Sequence, residues 1–220
     1  MNASYEKYGF YTVNIEYVKH LHSKDSEVFY SEAEGYDKKP YLGLIANLGG
    51  FTYCIPLTSA KPKHLKWKNV NDDNYVVYED VEESALRDND VFRKIGEVKK
   101  ADGKISIYKK ILAVLEIKKM IPINESLYSY VDFNSVSDES YRILLQKEYQ
   151  FLYPHRHDIL EKERIIYKNQ KESKIVKPFY CTFSMLESTF GEYISPEERN
   201  TCGSKIRTTL RRTNLSNYNR

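Results

Sequence analysis

The stretch from Pro40 to His64, PYLGLIANLGGFTYCIPLTSAKPKH, limits what this chain can fold into more than any other segment. Tyr41 to Asn47 and Phe51 to Leu57 are rich in β-branched and aromatic residues, and Gly49-Gly50 lies between them. Two such runs joined by a Gly-Gly turn read as an antiparallel hairpin. The second strand passes directly into Thr58-Ser59-Ala60-Lys61-Pro62-Lys63-His64. A strand holds its end rigidly, so the loop beyond it presents hydroxyls, ammonium groups and an imidazole together. Groups of this kind can bind a phosphodiester and move its protons without a metal.

The remaining segments place helices and further strands around this hairpin. Phe10 to Val13 reads as a short strand, followed by a helix capped by Asn14 with Tyr17, Val18 and Leu21 on one face. Asp25 to Lys39 is polar and turn-rich and reads as a loop. Lys61 to Val91 is polar, with Lys63, Lys66 and Lys68 around Trp67, and then turns acidic. A turn at Asp102-Gly103 leads to a strand over Lys104 to Tyr108, and Ile111 to Ile123 reads as a strand pair or bent strand closed by Pro122. Ser137 or Asp138 caps a helix carrying Tyr141, Leu144, Leu145, Tyr149 and Leu152 and ended by Pro154. A second amphipathic helix spans Asp158 to Gln170, and a shorter third spans Phe179 to Tyr193.

At 220 residues the chain suits one good-sized domain, with or without an appendage. A net charge of +3 says little by itself about nucleic acid. The 20 tyrosines offer faces for stacking bases and hydroxyls for phosphates, but most read as ordinary strand and core residues. Cys54, Cys181 and Cys202 form no CxxC pair and are odd in number, which argues against a disulfide framework or a zinc site and fits a reducing cytoplasm. The start, MNASYEKYGF, lacks the regions of a signal peptide, and the longest apolar run is too short to span a bilayer. A cytoplasmic protein without membrane contact, metal or cofactor is expected. After Glu198 the chain carries no acid but has Arg199, Lys205, Arg207, Arg211, Arg212 and Arg220, which reads as a solvated tail or a polyanion contact.

The order of these pieces resembles the ToxN/AbiQ family, the protein toxins of type III toxin–antitoxin systems. The residues that carry the resemblance are FYTVNIEYVKHL, KKPYLGLI, YCIPLTSAKPKH, KKMIPI, YRILLQKEYQF and CTFSMLESTF, in that order, over approximately Phe10 to Tyr193. The resemblance implies an α+β toxin domain over 1–193, a compact twisted antiparallel sheet flanked by helices. The basic extension over 194–220 departs from it by running past the family's usual end, either as added antitoxin RNA contacts or as a disordered tail. It implies a metal-independent endoribonuclease that attacks RNA through its own 2′-OH, leaving a 2′,3′-cyclic phosphate and a 5′-OH. The implied partner is a repeated pseudoknot antitoxin RNA, which the toxin processes and which inhibits it in a closed ring-like assembly. Cellular or phage mRNA is the implied substrate, and phage defence by abortive infection the implied role.

Thr58, Ser59 and Lys61 match the family's catalytic segment residue by residue. Taken without that match, Thr58 and Ser59 read as hydroxyls capping a turn. With it, Lys61 stabilises charge or acts as a base, and the hydroxyls bind phosphate oxygens or orient the 2′-OH. Lys39 lies at or near a basic position of the family's site, or is an ordinary strand-edge lysine. Tyr36 is similar to a tyrosine upstream of that strand, and Tyr11 either reaches the site or belongs to the core. His64 is expected to contact RNA first and to act catalytically second. Lys63, Lys66, Trp67 and Lys68 suit phosphates and a stacked base, or form a solvated loop with an anchoring Trp. Glu116, Lys118 and Lys119 are expected to alternate outward, with Lys118 or Lys119 touching RNA. His155 and His157 flank Arg156 at a helix boundary rather than a metal site. Ala60 stands where the family commonly has proline, which leaves the loop less rigid. A non-catalytic RNA-binding protein using the same basic face is the alternative, and a protein-interaction surface a third.

Overall fold

The computed structural model describes residues 8–33, 35–101 and 103–194. The basic extension expected over 194–220, with Cys202 in it, falls outside the described residues apart from Ile194. The hairpin forms as expected. Strand β2 (Tyr41–Leu48) pairs antiparallel with β3 (Phe51–Ser59), from Leu48↔Phe51 to Tyr41↔Pro56. Gly49 and Gly50 turn the chain with φ of 60° and 93°, a region where a side chain is strained. Strand β1 (Gly9–Val13) lies on the outer edge of β2, and the chain then enters helix α1 (Ile15–Lys24). Asn14 caps α1 by accepting the Tyr17 backbone N–H at 3.1 Å.

The far edge of β3 is shared by two partners. Its first half pairs with β7 (Ile121–Ile123) and its last three residues, Leu57 to Ser59, with β6 (Gly103–Glu116). On one edge of β6 runs β4 (Asn74–Glu82), from Asn74↔Glu116 to Glu82↔Ile107. On the other edge runs β5 (Val91–Lys100), which begins at Val91↔Ile111, just beyond the rung where β3 ends at Ser59↔Ala113. Strand β8 (Tyr128–Tyr130) closes the opposite side against β1. Every one of these pairings is antiparallel.

Three further helices cover the sheet: α2 (Glu139–Leu152), α3 (Arg156–Ser173) and α4 (Phe183–Tyr193). Asp138, rather than Ser137, caps α2 through the Tyr141 N–H at 3.0 Å. Between α3, α4 and β3 the core contains Tyr53, Ile55, Phe183 and Leu186, all fully buried. The hydroxyls of Tyr53 and Tyr167 both donate to Glu187 Oε1, at 2.9 and 2.7 Å, and Lys171 pairs with the same carboxylate. The α+β expectation therefore holds.

Several boundaries differ from those read in the sequence. Asn74–Glu82 is a strand inside a stretch read as polar, because Asn74 to Val77 is buried at its start while the rest of the strand is not. Strand β5 shows no apolar alternation because almost all of it is exposed. Strand β6 is one 14-residue strand, not a short strand followed by a pair. The last helix starts at Phe183 rather than Phe179, since Phe179 adopts φ 67° and the preceding residues form a turn.

Candidate active site

The hydroxyl–lysine segment sits where β3 leaves the sheet. Thr58 and Ser59 occupy its last two rungs, opposite Val114 and Ala113 of β6. Thr58 is buried and donates its hydroxyl to the Val114 carbonyl at 3.2 Å, while Ser59 is exposed. Lys61 follows with extended backbone and then opens a tight 3-10 turn over Pro62–Lys66. The Lys61 side chain is solvent-exposed, but its backbone is fixed by His64 from both sides.

A cavity of about 630 Å³ opens over this strand end. Its floor is the Leu57 to Lys61 segment, and its opposite wall is the segment from Phe29 to Pro40. Lys39 enters from that wall. Its ammonium donates to the Tyr36 hydroxyl at 3.3 Å and lies 4.6 Å from the centre of the Phe29 ring. Burial pulls the Lys39 ammonium down to about 8, Glu116 opposes that shift, and Lys61 adds to it. Burial also pushes the Tyr36 phenol up, so it stays protonated. His64 is almost fully enclosed, 4.7 Å from the Trp67 ring. Burial, with Lys63 and Lys61 beside it, pulls its imidazole down to about 4. It is therefore neutral through the physiological range.

The cavity thus brings together Tyr36, Lys39, Thr58, Ser59, Lys61, Lys63 and His64. Trp67 stands behind the His64 ring, with the Lys63 and Lys118 ammonium groups 5.5 and 5.4 Å from its centre. Lys66 is exposed on the 3-10 turn.

Three expected contacts are placed elsewhere. Tyr11 is buried in an aromatic cluster with Tyr128 and Tyr130, at 4.9 and 5.7 Å between ring centres, because a Cβ-free Gly43 lets its ring lie flat on β2. Lys119 does not point outward. It is 4% exposed, paired with Glu27 and placed 5.2 Å from the Phe29 ring, so it holds the cavity wall from behind. Glu116 is buried as well, facing the cavity from the floor side near Lys39, and Lys118 is drawn to it and to Asp73, at 3.9 and 3.4 Å. A tight turn over Ile117–Lys119 replaces the strand alternation that the outward reading assumed.

Phe29 and Tyr141 are cavity residues that the sequence reading did not single out for the site. Tyr141 belongs to α2 and donates its hydroxyl to the Lys38 carbonyl at 3.1 Å, tying the helix to the cavity wall. Its place in the apolar pattern of α2 masked this second role.

The twisted antiparallel sheet gathers a hydroxyl pair and several lysines over one strand end, groups whose chemistry suits an anion. Residues 9–191 match the family described as Toxin ToxN, type III toxin–antitoxin system, and the chain belongs to that family. It is similar to Endoribonuclease ToxN of Bacillus thuringiensis subsp. kurstaki, 27% identical over 193 residues, covering 84% of this chain and 83% of that protein. Endoribonuclease ToxN of Pectobacterium atrosepticum is 25% identical over 185 residues, covering 84% and 92%. Among solved structures, a chain from a type III system with selective toxin inhibition by a non-coding RNA pseudoknot aligns with a TM-score of 0.58. That match is 26% identical and covers 84% of this chain and 96% of the other. AbiQ, a lactococcal anti-phage endoribonuclease of the type III toxin–antitoxin system, shares the fold with a TM-score of 0.57 at 20% identity, covering 84% and 96%. Among the described residues, no helix is long and apolar enough to cross a membrane.

Proposed function

We propose that this chain is a metal-independent endoribonuclease toxin that cuts RNA by attack of the 2′-OH on the adjacent phosphate. The observation that carries this reading is the convergence of Lys39, Ser59 and Lys61 on one cavity. The exposed Lys61 ammonium and the Ser59 hydroxyl bind the nonbridging oxygens and stabilise the charge that grows on the phosphorane. Lys39 accepts the 2′-OH proton in its neutral form, since its position near 8 lets it exist neutral at working pH. As the 2′-oxygen bonds to phosphorus the P–O5′ bond breaks, and Tyr36 gives its O–H proton to the departing 5′-oxygen while the protonated Lys39, whose hydrogen bond it accepts, restores it. Thr58 spends its proton on the Val114 carbonyl and so orients the strand end rather than the phosphate.

The relatives' names and the pseudoknot-inhibited neighbour support a cognate repeat pseudoknot RNA as the antitoxin. In this reading the toxin processes that RNA, is inhibited by it in a closed ring-like assembly, and otherwise cuts cellular or phage mRNA in the cytoplasm. Phage defence by abortive infection is the matching role. The test is an RNA carrying a single 2′-deoxynucleotide at the cut position. Loss of cleavage at that bond alone is expected, and continued cleavage there contradicts attack by the 2′-OH.

A further inference from the structure

A second cavity, of about 460 Å³, adjoins the first, and Ser59 and Tyr141 belong to the walls of both. It exists because of the sheet's topology. The chain leaves β6 at Ser59↔Ala113, and β5 takes up the same edge at Val91↔Ile111, so a groove opens between that junction and α2. We propose that this groove is a nucleotide subsite, receiving the base on one side of the scissile phosphate. The inference rests on the ribonuclease reading above and extends it to how the RNA is held.

The two cavities differ in chemistry in the way that a phosphate and its neighbouring base differ. The first gathers Lys39, Lys61 and Lys63 around the strand end against a single lining carboxylate, Glu116, which suits the anion. In the second, two of the three lining cations, Lys110 and Lys147, are already engaged by carboxylates, while Arg87 gives its backbone N–H to Asp90. Lys110 lies 2.9 Å from Asp90 and 4.0 Å from Glu79, and Lys147 lies 2.5 Å from Glu79. Although burial pulls the Asp90 carboxyl up, the Lys110 hydrogen bond and the Arg87 N–H hold it below the usual carboxylate range. Paired in this way, the groove repels a phosphate less than free acids would but attracts it little. The apolar lining comes from Leu112 and from Ile143 and Leu144 on α2. Ile143 is 43% exposed, an apolar side chain presented to the groove. An apolar wall takes the face of a base, and carboxylate oxygens accept N–H donors from its edge. The size also lies within the range of small-ligand sites, roughly 300–1,000 Å³. A phosphodiester bound at Ser59 has a nucleotide on each side, and this groove begins at Ser59.

The experiment compares RNAs that are identical except for an abasic residue immediately 5′ or immediately 3′ of the cut. Wild-type protein is set against Ile143→Trp, which fills the groove, with far-UV circular dichroism confirming the fold of both. At one of the two positions, the abasic substitution is expected to lower wild-type kcat/KM at least tenfold. Ile143→Trp is expected to cut intact RNA with the same loss and to cut the abasic RNA like wild type. Cleavage by wild type with equal rates on intact and abasic RNA overturns the subsite and leaves the ribonuclease reading standing. So does an Ile143→Trp protein that keeps the wild-type dependence on the base. No cleavage of any RNA by wild type overturns the ribonuclease reading and this inference with it.

Discussion

Lys61 and His64 hold each other by a reciprocal pair of hydrogen bonds. The Lys61 backbone N–H donates to His64 Nδ1 at 3.1 Å, and the His64 N–H donates back to the Lys61 carbonyl at 2.8 Å. The arrangement has the logic of a capping box, with an imidazole in place of the usual carboxyl. It fixes the backbone from which the Lys61 ammonium extends, and it stands in for the rigidity that Ala60 does not supply.

His64 therefore acts on the reaction through Lys61. With Nδ1 already accepting a bond and the ring enclosed, the imidazole stays neutral above about 4. His64→Ala is expected to lower cleavage about tenfold, the scale of a loosened catalytic group. The shape of the pH–rate profile between pH 5 and 8 is expected to stay as it is. A limb near pH 6 to 7 that disappears in His64→Ala would show instead that His64 transfers a proton.

Lys39 sets the expected pH dependence. Because kcat/KM reports the free enzyme, cleavage should rise with pH as Lys39 loses its proton and level off above about 8. Lys39→Arg keeps the charge but cannot release it, so that variant is expected to be inactive across the range. An active Lys39→Arg protein would make the side chain a fixed cation and not the base.

Thr58 and Ser59 are adjacent but are predicted to respond differently. Thr58→Val removes a hydroxyl bonded to the Val114 carbonyl in the last rungs of the ladder, so it should cost stability, about 1 kcal/mol in urea denaturation. Its cleavage rate should fall less than that of Ser59→Ala, which is expected to lose about a hundredfold or more with stability unchanged. Equal loss of activity in both would place Thr58 on the phosphate as well.

Glu148 on α2 gives a stability signature. Burial pushes its carboxyl up to about 8, so the folded protein keeps a proton that the unfolded chain has already released. Stability from this group is complete below the ordinary carboxylate range and is lost as pH rises towards 8. Glu148→Gln cannot lose that proton. Its stability relative to wild type should therefore improve between pH 5 and 8, by on the order of 3 kcal/mol. Parallel denaturation curves at the two pH values would show that Glu148 is not buried as a carboxylic acid.

The parts of the fold legible in the sequence are those encoded locally. Gly49-Gly50 marked the hairpin turn, Asn14 and Asp138 marked helix starts, and the hydroxyl–lysine segment marked a strand end. Strand β5 was not legible because its residues face solvent and carry no alternation. The cavity's far wall was legible only in part. Tyr36 and Lys39 came from the family resemblance, whereas Phe29 lies in a stretch with turn-like composition, and only the packing of that segment over β3 brings it to the cavity. Lys119 and Glu116 were misread for a related reason, because an Ile117–Lys119 turn breaks the alternation that their spacing suggests.

The account's central claim is transesterification by a lysine–hydroxyl site that needs no metal. The most direct measurement is incubation of purified, RNA-free protein with a defined RNA in EDTA, followed by end-group analysis. Cleavage that leaves 2′,3′-cyclic phosphate and 5′-OH ends, and is lost in Lys61→Ala, is the predicted result. Intact RNA in EDTA with binding preserved, or products ending in 5′-phosphate, would contradict it.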